Sequence, residues 1–106
     1  MAPSPSSRRV QFFGELDLCC TEEMQAAIWS QLQAPVSELV IDLGGVTFLD
    51  SSAMSVLAQA QGAALSAGAR LRLINVRRIP RRALEFAGLD QLLDVHAGLE
   101  PQAASA

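Results

Sequence analysis

The stretch that decides the fold is Phe48-Leu49-Asp50-Ser51-Ser52-Ala53-Met54. Before it runs Glu38-Leu39-Val40-Ile41-Asp42-Leu43, an apolar, β-branched segment that reads as a buried strand. After it, Ala53, Leu57, Ala60 and Ala64 recur at the spacing of one helical stripe. Asp50 and Ser51 therefore fall where a strand ends and a helix begins. The first turn of a helix carries unpaired N–H groups and a partial positive charge, so it accepts an added anion readily. Taken alone, Asp50-Ser51-Ser52 reads as a helix cap, a hydrogen bond typically worth ~1 kcal/mol.

Working outward, the chain reads as strand, helix, strand, helix, strand, helix, strand. Arg9-Val10-Gln11-Phe12-Phe13 forms a strand ending at Gly14. Residues 21–33 form a helix with Glu22 and Glu23 in its first turn, an inner stripe of Met24, Ile28 and Leu32, and Pro35 as its stop. Gly44-Gly45 reads as a break after the strand at 38–43. The helix from Asp50 runs to about Ala67, where Gly68 ends it. Leu71, Leu73, Ile74 and Val76 mark the next strand. Pro80 fits the first turn of a third helix whose inner stripe is Ile79, Ala83 and Phe86, with Gly88 beyond it. Leu92, Leu93 and Val95 read as a last short strand.

This alternation predicts an α/β domain with a four- to five-stranded, mostly parallel (mixed) sheet and helices packed against it. Right-handed crossovers then bring the loops at the C-terminal strand ends to one edge. Asp17, Asp50-Ser51 and Asn75-Val76-Arg77-Arg78 belong to those loops, so Arg77 or Arg78 is expected within reach of a phosphate on Ser51.

The 106 residues suffice for one domain, which buries roughly 65% of the surface of its unfolded chain. Residues 1–7 read as a disordered tail, 8–97 as the domain, and 98–106 as a tail or weak helix. Half the residues are hydrophobic and the formal net charge is −3, which gives no global attraction to nucleic acid. Arg70, Arg72, Arg77, Arg78, Arg81 and Arg82 cluster with no acid between positions 70 and 82, and read as a solvated face. Nothing resembles a secretory leader or a membrane span, so a cytoplasmic protein without membrane insertion is expected. The adjacent Cys19 and Cys20 make poor disulfide partners and read as small buried side chains. No metal-ligand cluster or phosphate-cradling glycine loop is present in the sequence, and no cofactor is expected. A hydrolase built on Ser51 would need a base and a nucleophile elbow. The one histidine, His96, reads as a surface residue near the chain end, and no Gly-x-Ser-x-Gly surrounds Ser51.

The run Leu39-Val40-Ile41-Asp42-Leu43-Gly44-Gly45-Val46-Thr47-Phe48-Leu49-Asp50-Ser51-Ser52-Ala53 resembles the signature of the STAS domain family, and more narrowly the bacterial anti-sigma factor antagonists. Gly14-Glu15-Leu16-Asp17 upstream and Gly88-Leu89-Asp90 downstream extend the resemblance, which covers Val10 to about Val95. Members usually carry a further strand upstream, for which little room remains here. The resemblance implies a binding module rather than an enzyme. Its unphosphorylated form would bind a serine/threonine kinase that is also an anti-sigma factor, and thereby release the sigma factor. Phosphorylation of Ser51 would break that complex and a phosphatase would restore it. Asp17, Asp50, Ser52, Glu15, Ala53 and Met54 are then expected at the partner surface, on a monomer or weak dimer. Ala53 stands where the family commonly has Gly, and would add a Cβ where a kinase loop approaches. The alternative reading within the family is a subunit that docks on an ABC-type lipid transporter ATPase and is not phosphorylated. Such subunits often have Thr at the position of Ser51.

Overall fold

A computed structural model describes residues 7–98. Three strands, β1 (Ser7–Leu16), β2 (Glu38–Leu49) and β3 (Arg70–Ile74), form a wholly parallel sheet in the order β1-β2-β3. Helices α1 (Thr21–Gln31), α2 (Ser51–Ser66) and α3 (Arg78–Phe86) follow the strands in turn. The α/β class is as expected, and the strand count among the described residues is lower. The segment expected as a last strand contributes a single bridge, Leu73 to Val95. It still covers the outer edge of β3: Leu73 N–H donates to Asp94 O, His96 N–H to Leu73 O, and Asn75 N–H to Gly98 O. Asn75 sits at φ 55°, which turns the chain out of the extended conformation just after β3 and stops a ladder from growing there. Ser7 belongs to β1 rather than to a tail. The readings for residues 1–6 and 99–106 lie outside the described residues.

Alternation along the sheet separates two faces. Val10, Leu39, Ile41, Leu43, Leu71 and Leu73 join one apolar core with Met24 and Ile28 of α1 and Ala53, Val56, Leu57, Ala60 and Ala64 of α2. The α2 stripe read from the sequence is thus the buried one, and the four residues that define it are wholly inaccessible. The opposite face carries Arg9, Gln11, Val40, Asp42, Arg72 and Ile74, aligned by the register of the three strands. Arg72 is 1% exposed and pairs with Glu38 at 2.9 Å, so it is not part of a solvated arginine face. Its position in β3 decides this, because alternation turns it onto the covered second face of the sheet.

Gly44-Gly45 does not end β2. The strand continues to Leu49 through two bulges, one placing Leu43 and Gly44 opposite Phe12, the other inserting Thr47 between the partners of Gly14 and Glu15. Each extra residue resets the alternation, so Leu43, Val46 and Leu49 all reach the core. Glycine suits both positions. An added Cβ on Gly44 would lie 3.1 Å from Asp42 Oδ1, and one on Gly45 would meet the Phe13 ring.

The inner stripe of α3 also differs from expectation. Pro80 and Leu84 are buried, whereas Ile79 and Phe86 are exposed and Ala83 is half-buried. Ile79 and Phe86 do share a helix face, but that face is turned outward, because periodicity fixes which residues align and not which side meets the core. Gly68 and Gly88, both at φ 75°, end α2 and α3 in the left-handed conformation that glycine adopts without strain.

Candidate functional site

The C-terminal ends of β1 and β2 lie side by side, with Glu15 opposite Phe48 and Leu16 opposite Leu49. The chain leaves β1 through Asp17 into a short 3-10 turn, Leu18–Cys20, and leaves β2 through Asp50 into α2. Two carboxylates organise this junction. Asp50 caps α2, its Oδ1 accepting the Ala53 N–H at 3.0 Å. Its Oδ2 accepts the Leu18 N–H at 3.2 Å from the neighbouring loop. The Asp50 N–H in turn donates to Leu16 O at 3.1 Å. Asp17 caps the 3-10 turn at the β1 exit, its Oδ1 accepting the Cys19 N–H at 3.0 Å and the Cys20 thiol at 3.7 Å.

Ser51 is the first residue of α2 and is exposed. The N–H groups of Ser51 and Ser52 belong to the first turn and have no intrahelical acceptor, so the positive end of α2 faces outward around the Ser51 hydroxyl. Ser52 and Met54 are half-buried beside it, and Glu15 is exposed. The topology therefore brings together Glu15, Asp17, Asp50, Ser51, Ser52 and Met54 from two loops more than 30 residues apart in sequence.

Ala53 is not on this surface. It is 0% exposed and belongs to the core cluster with Leu57 and Ala60, so it is buried rather than at the surface where a partner contact was expected. Leu18 was not singled out from the sequence, yet it is 70% exposed at the rim of the junction. Its N–H is the group held by Asp50, which ties its position to that of Ser51. An isolated leucine between a strand and a helix carries no sequence signal for exposure. Phe48, the penultimate residue of β2, is also partly exposed. Cys19 is exposed, against expectation, whereas Cys20 is half-buried and packs against the core; both are free thiols.

Arg77 and Arg78 line a cleft with Thr47, Ile79 and Pro80, and Ser51 is not among the residues of that cleft. His96 is half-buried with Nε2 2.8 Å from Asp94 Oδ1, in the segment along β3. Among the described residues no group of three or more His, Cys, Asp or Glu side chains could hold a metal ion, and no helix is long and apolar enough to cross a membrane.

Beneath the junction, Asp42 anchors the second face of the sheet. Its Oδ1 accepts the Gly44 N–H at 2.8 Å and the Asn75 amide at 3.2 Å, and its Oδ2 accepts the Gln11 amide at 3.2 Å and pairs with the Arg9 guanidinium. Burial pushes this carboxyl up, but the hydrogen bonds from Gly44, Asn75, Gln11 and Arg9 outweigh it, and the pKa lies below the ordinary aspartate value.

Comparison with known proteins shows the family and the fold. The family model described as "Mlab, STAS domain" matches residues 2–94. Solved structures share the fold at low identity. A sulfate transporter family protein from Wolinella succinogenes superposes with a TM-score of 0.77 at 16% identity, over 88% of this chain and 78% of the other. A Thermotoga maritima protein assigned as an anti-sigma factor antagonist gives 0.75 at 17%, over 92% and 84%. The anti-sigma factor antagonist SpoIIAA in its unphosphorylated form gives 0.74 at 21%, over 97% and 89%. No curated protein matches the sequence closely enough to count as a relative.

Proposed function

This chain belongs to the STAS domain family, and from that premise we propose that it is an anti-sigma factor antagonist whose docking surface is the Ser51 junction. The unphosphorylated protein binds an anti-sigma factor serine/threonine kinase and frees the sigma factor. Phosphate on Ser51 dissolves the complex and a phosphatase resets it. The chain is a substrate and a binding module, not a catalyst.

The observation that carries this reading is the exposed Ser51 hydroxyl at the start of α2, beside an Asp50 whose two carboxylate oxygens are both engaged. A phosphate there adds about −1.5 to −2 charge at neutral pH. In the free domain the helix start and solvent stabilise that charge. At an interface the same charge is desolvated beside Asp50 and near Asp17. A penalty of roughly 2–5 kcal/mol lowers affinity about thirtyfold or more. Glu15, Asp17, Leu18, Ser52 and Met54 surround Ser51 in this reading and contact the partner.

A second reading is favoured by one observation, that the matching family model is of the Mlab type. In it the same surface docks on an ABC-type lipid transporter ATPase without phosphorylation. Affinity capture with wild-type protein and Ser51→Asp separates the two. The switch predicts recovery of a sigma-regulating kinase by wild type and its loss with Ser51→Asp. Recovery of a transporter ATPase by wild type would support the second reading and contradict the first.

A further inference from the structure

Helix α3 presents a face that neither the core nor the Ser51 junction uses. Pro80 and Leu84 fix its orientation, because both are buried. At 100° per residue the outward side is then centred on Arg78 and Arg82, with Ile79 and Phe86 aligned along one flank and Glu85 on the other. Ile79 is 63% exposed and Phe86 86% exposed. Neither position gains stability by being apolar, since neither touches the core.

The charge on this face is one-sided. Arg77, Arg78, Arg81 and Arg82 fall within six residues, and Glu85 is the only acid on the helix. Glu85 lies 4.0 Å from Arg82 in an exposed contact, which neutralises little. Arg81 reaches back to Val76 O at 3.3 Å. Among the described residues Arg77 and Arg78 have no ion-pair partner, and both line the cleft of about 250 Å³ that Thr47, Ile79 and Pro80 complete. The whole chain carries a formal charge of −3, so attraction to an anionic surface requires a local basic patch of this kind.

We propose that the outward face of α3 is a docking surface for an anionic phospholipid membrane, with Ile79 and Phe86 entering the interfacial region and Arg78 and Arg82 meeting lipid phosphates. Two apolar side chains on one flank of an arginine-rich helix are the arrangement that binds at a lipid interface. A lipid surface meets both features at once, phosphate for the arginines and an apolar layer for Ile79 and Phe86, whereas an acidic peptide answers only the charge. The binding is peripheral, and its strength comes from the sum of a small apolar insertion and the arginine charges. It is independent of the reading of Ser51.

The test is co-sedimentation of the full chain with vesicles of phosphatidylcholine alone and of phosphatidylcholine with phosphatidylglycerol, at low and high salt. Phosphatidylglycerol vesicles are expected to retain the protein at low salt and release it at high salt, while phosphatidylcholine vesicles retain almost none. Arg78→Gln with Arg82→Gln lowers partitioning by about thirtyfold, from a roughly fivefold contribution of each arginine. Ile79→Ser with Phe86→Ser also reduces it, and circular dichroism of both double variants stays that of wild type. Equal binding to the two vesicle types, binding that ignores either double substitution, or no vesicle binding at all would overturn the proposal. In the last case an acidic segment of a protein partner becomes the occupant to seek.

Discussion

Asp50 holds two elements with one carboxylate, the α2 start through Ala53 and the β1 exit loop through Leu18. Asp50→Ala removes both hydrogen bonds, and a loss of about 1–2 kcal/mol is expected in urea unfolding. Asp50→Asn, which keeps an acceptor for a cap, is expected to cost less. Asp42 supplies the pH dependence. Its pKa in the fold is lowered, while in the unfolded chain it returns to about 3.9. Its stabilisation is therefore complete above the ordinary value and disappears as pH falls from about 5 through 4 toward the lowered folded value. Asp42→Asn should destabilise by about 1–3 kcal/mol at pH 7, and the gap from wild type should narrow on acidification. A constant gap from pH 7 to 3 would contradict this assignment. Ser51 and Asp50 could be read from the sequence because a strand, an acid, a hydroxyl and a helical stripe follow one another in order. Leu18 and Asp42 could not, since the contacts that define them come from residues about 30 positions away.

At the scale of elements, α1 and α2 were legible because their stripes are continuous: Met24 and Ile28 in one, Ala53 to Ala64 in the other, are buried as the spacing predicts, while Leu32, the last of the α1 stripe, caps the helix and is half-buried. The nine residues of α3 hold two possible apolar stripes, Ile79-Ala83-Phe86 and Pro80-Leu84. The larger side chains favour the first by pattern, and the structure buries the second. The two can be separated by stability. Leu84→Ala is expected to cost about 2–5 kcal/mol, whereas Ile79→Ser and Phe86→Ser should each change stability by less than about 0.5 kcal/mol. Thermal melts of the three variants measure this. A similar loss for Phe86→Ser and Leu84→Ala would return the first stripe to the core. The Gly44-Gly45 pair was misleading for a related reason. Two glycines read as a turn, but here they let β2 bulge and continue, with the Gly44 N–H taken by Asp42.

Over the whole molecule, the order of elements was enough to give a parallel α/β sheet and to gather Asp17 and Asp50-Ser51 at one edge. It did not give the strand count, because the segment at 92–95 pairs with β3 through a single bridge and loop-like hydrogen bonds. The fold carries the proposed switch without itself changing. Charge added at Ser51 lies at the positive end of α2 and outside the core, so Ser51→Asp should melt at or slightly above the wild-type temperature, a gain of about 0.3–1 kcal/mol at low salt. The central claim concerns the hydroxyl itself. Its most direct test is incubation of wild-type protein and Ser51→Ala with candidate anti-sigma factor kinases and ATP, followed by mass spectrometry of the peptides. The account predicts a single phosphate on the peptide containing Ser51 in the wild type and none in Ser51→Ala. Phosphate at Ser52, Ser55 or elsewhere, or none on the wild type with its own kinase, would contradict it.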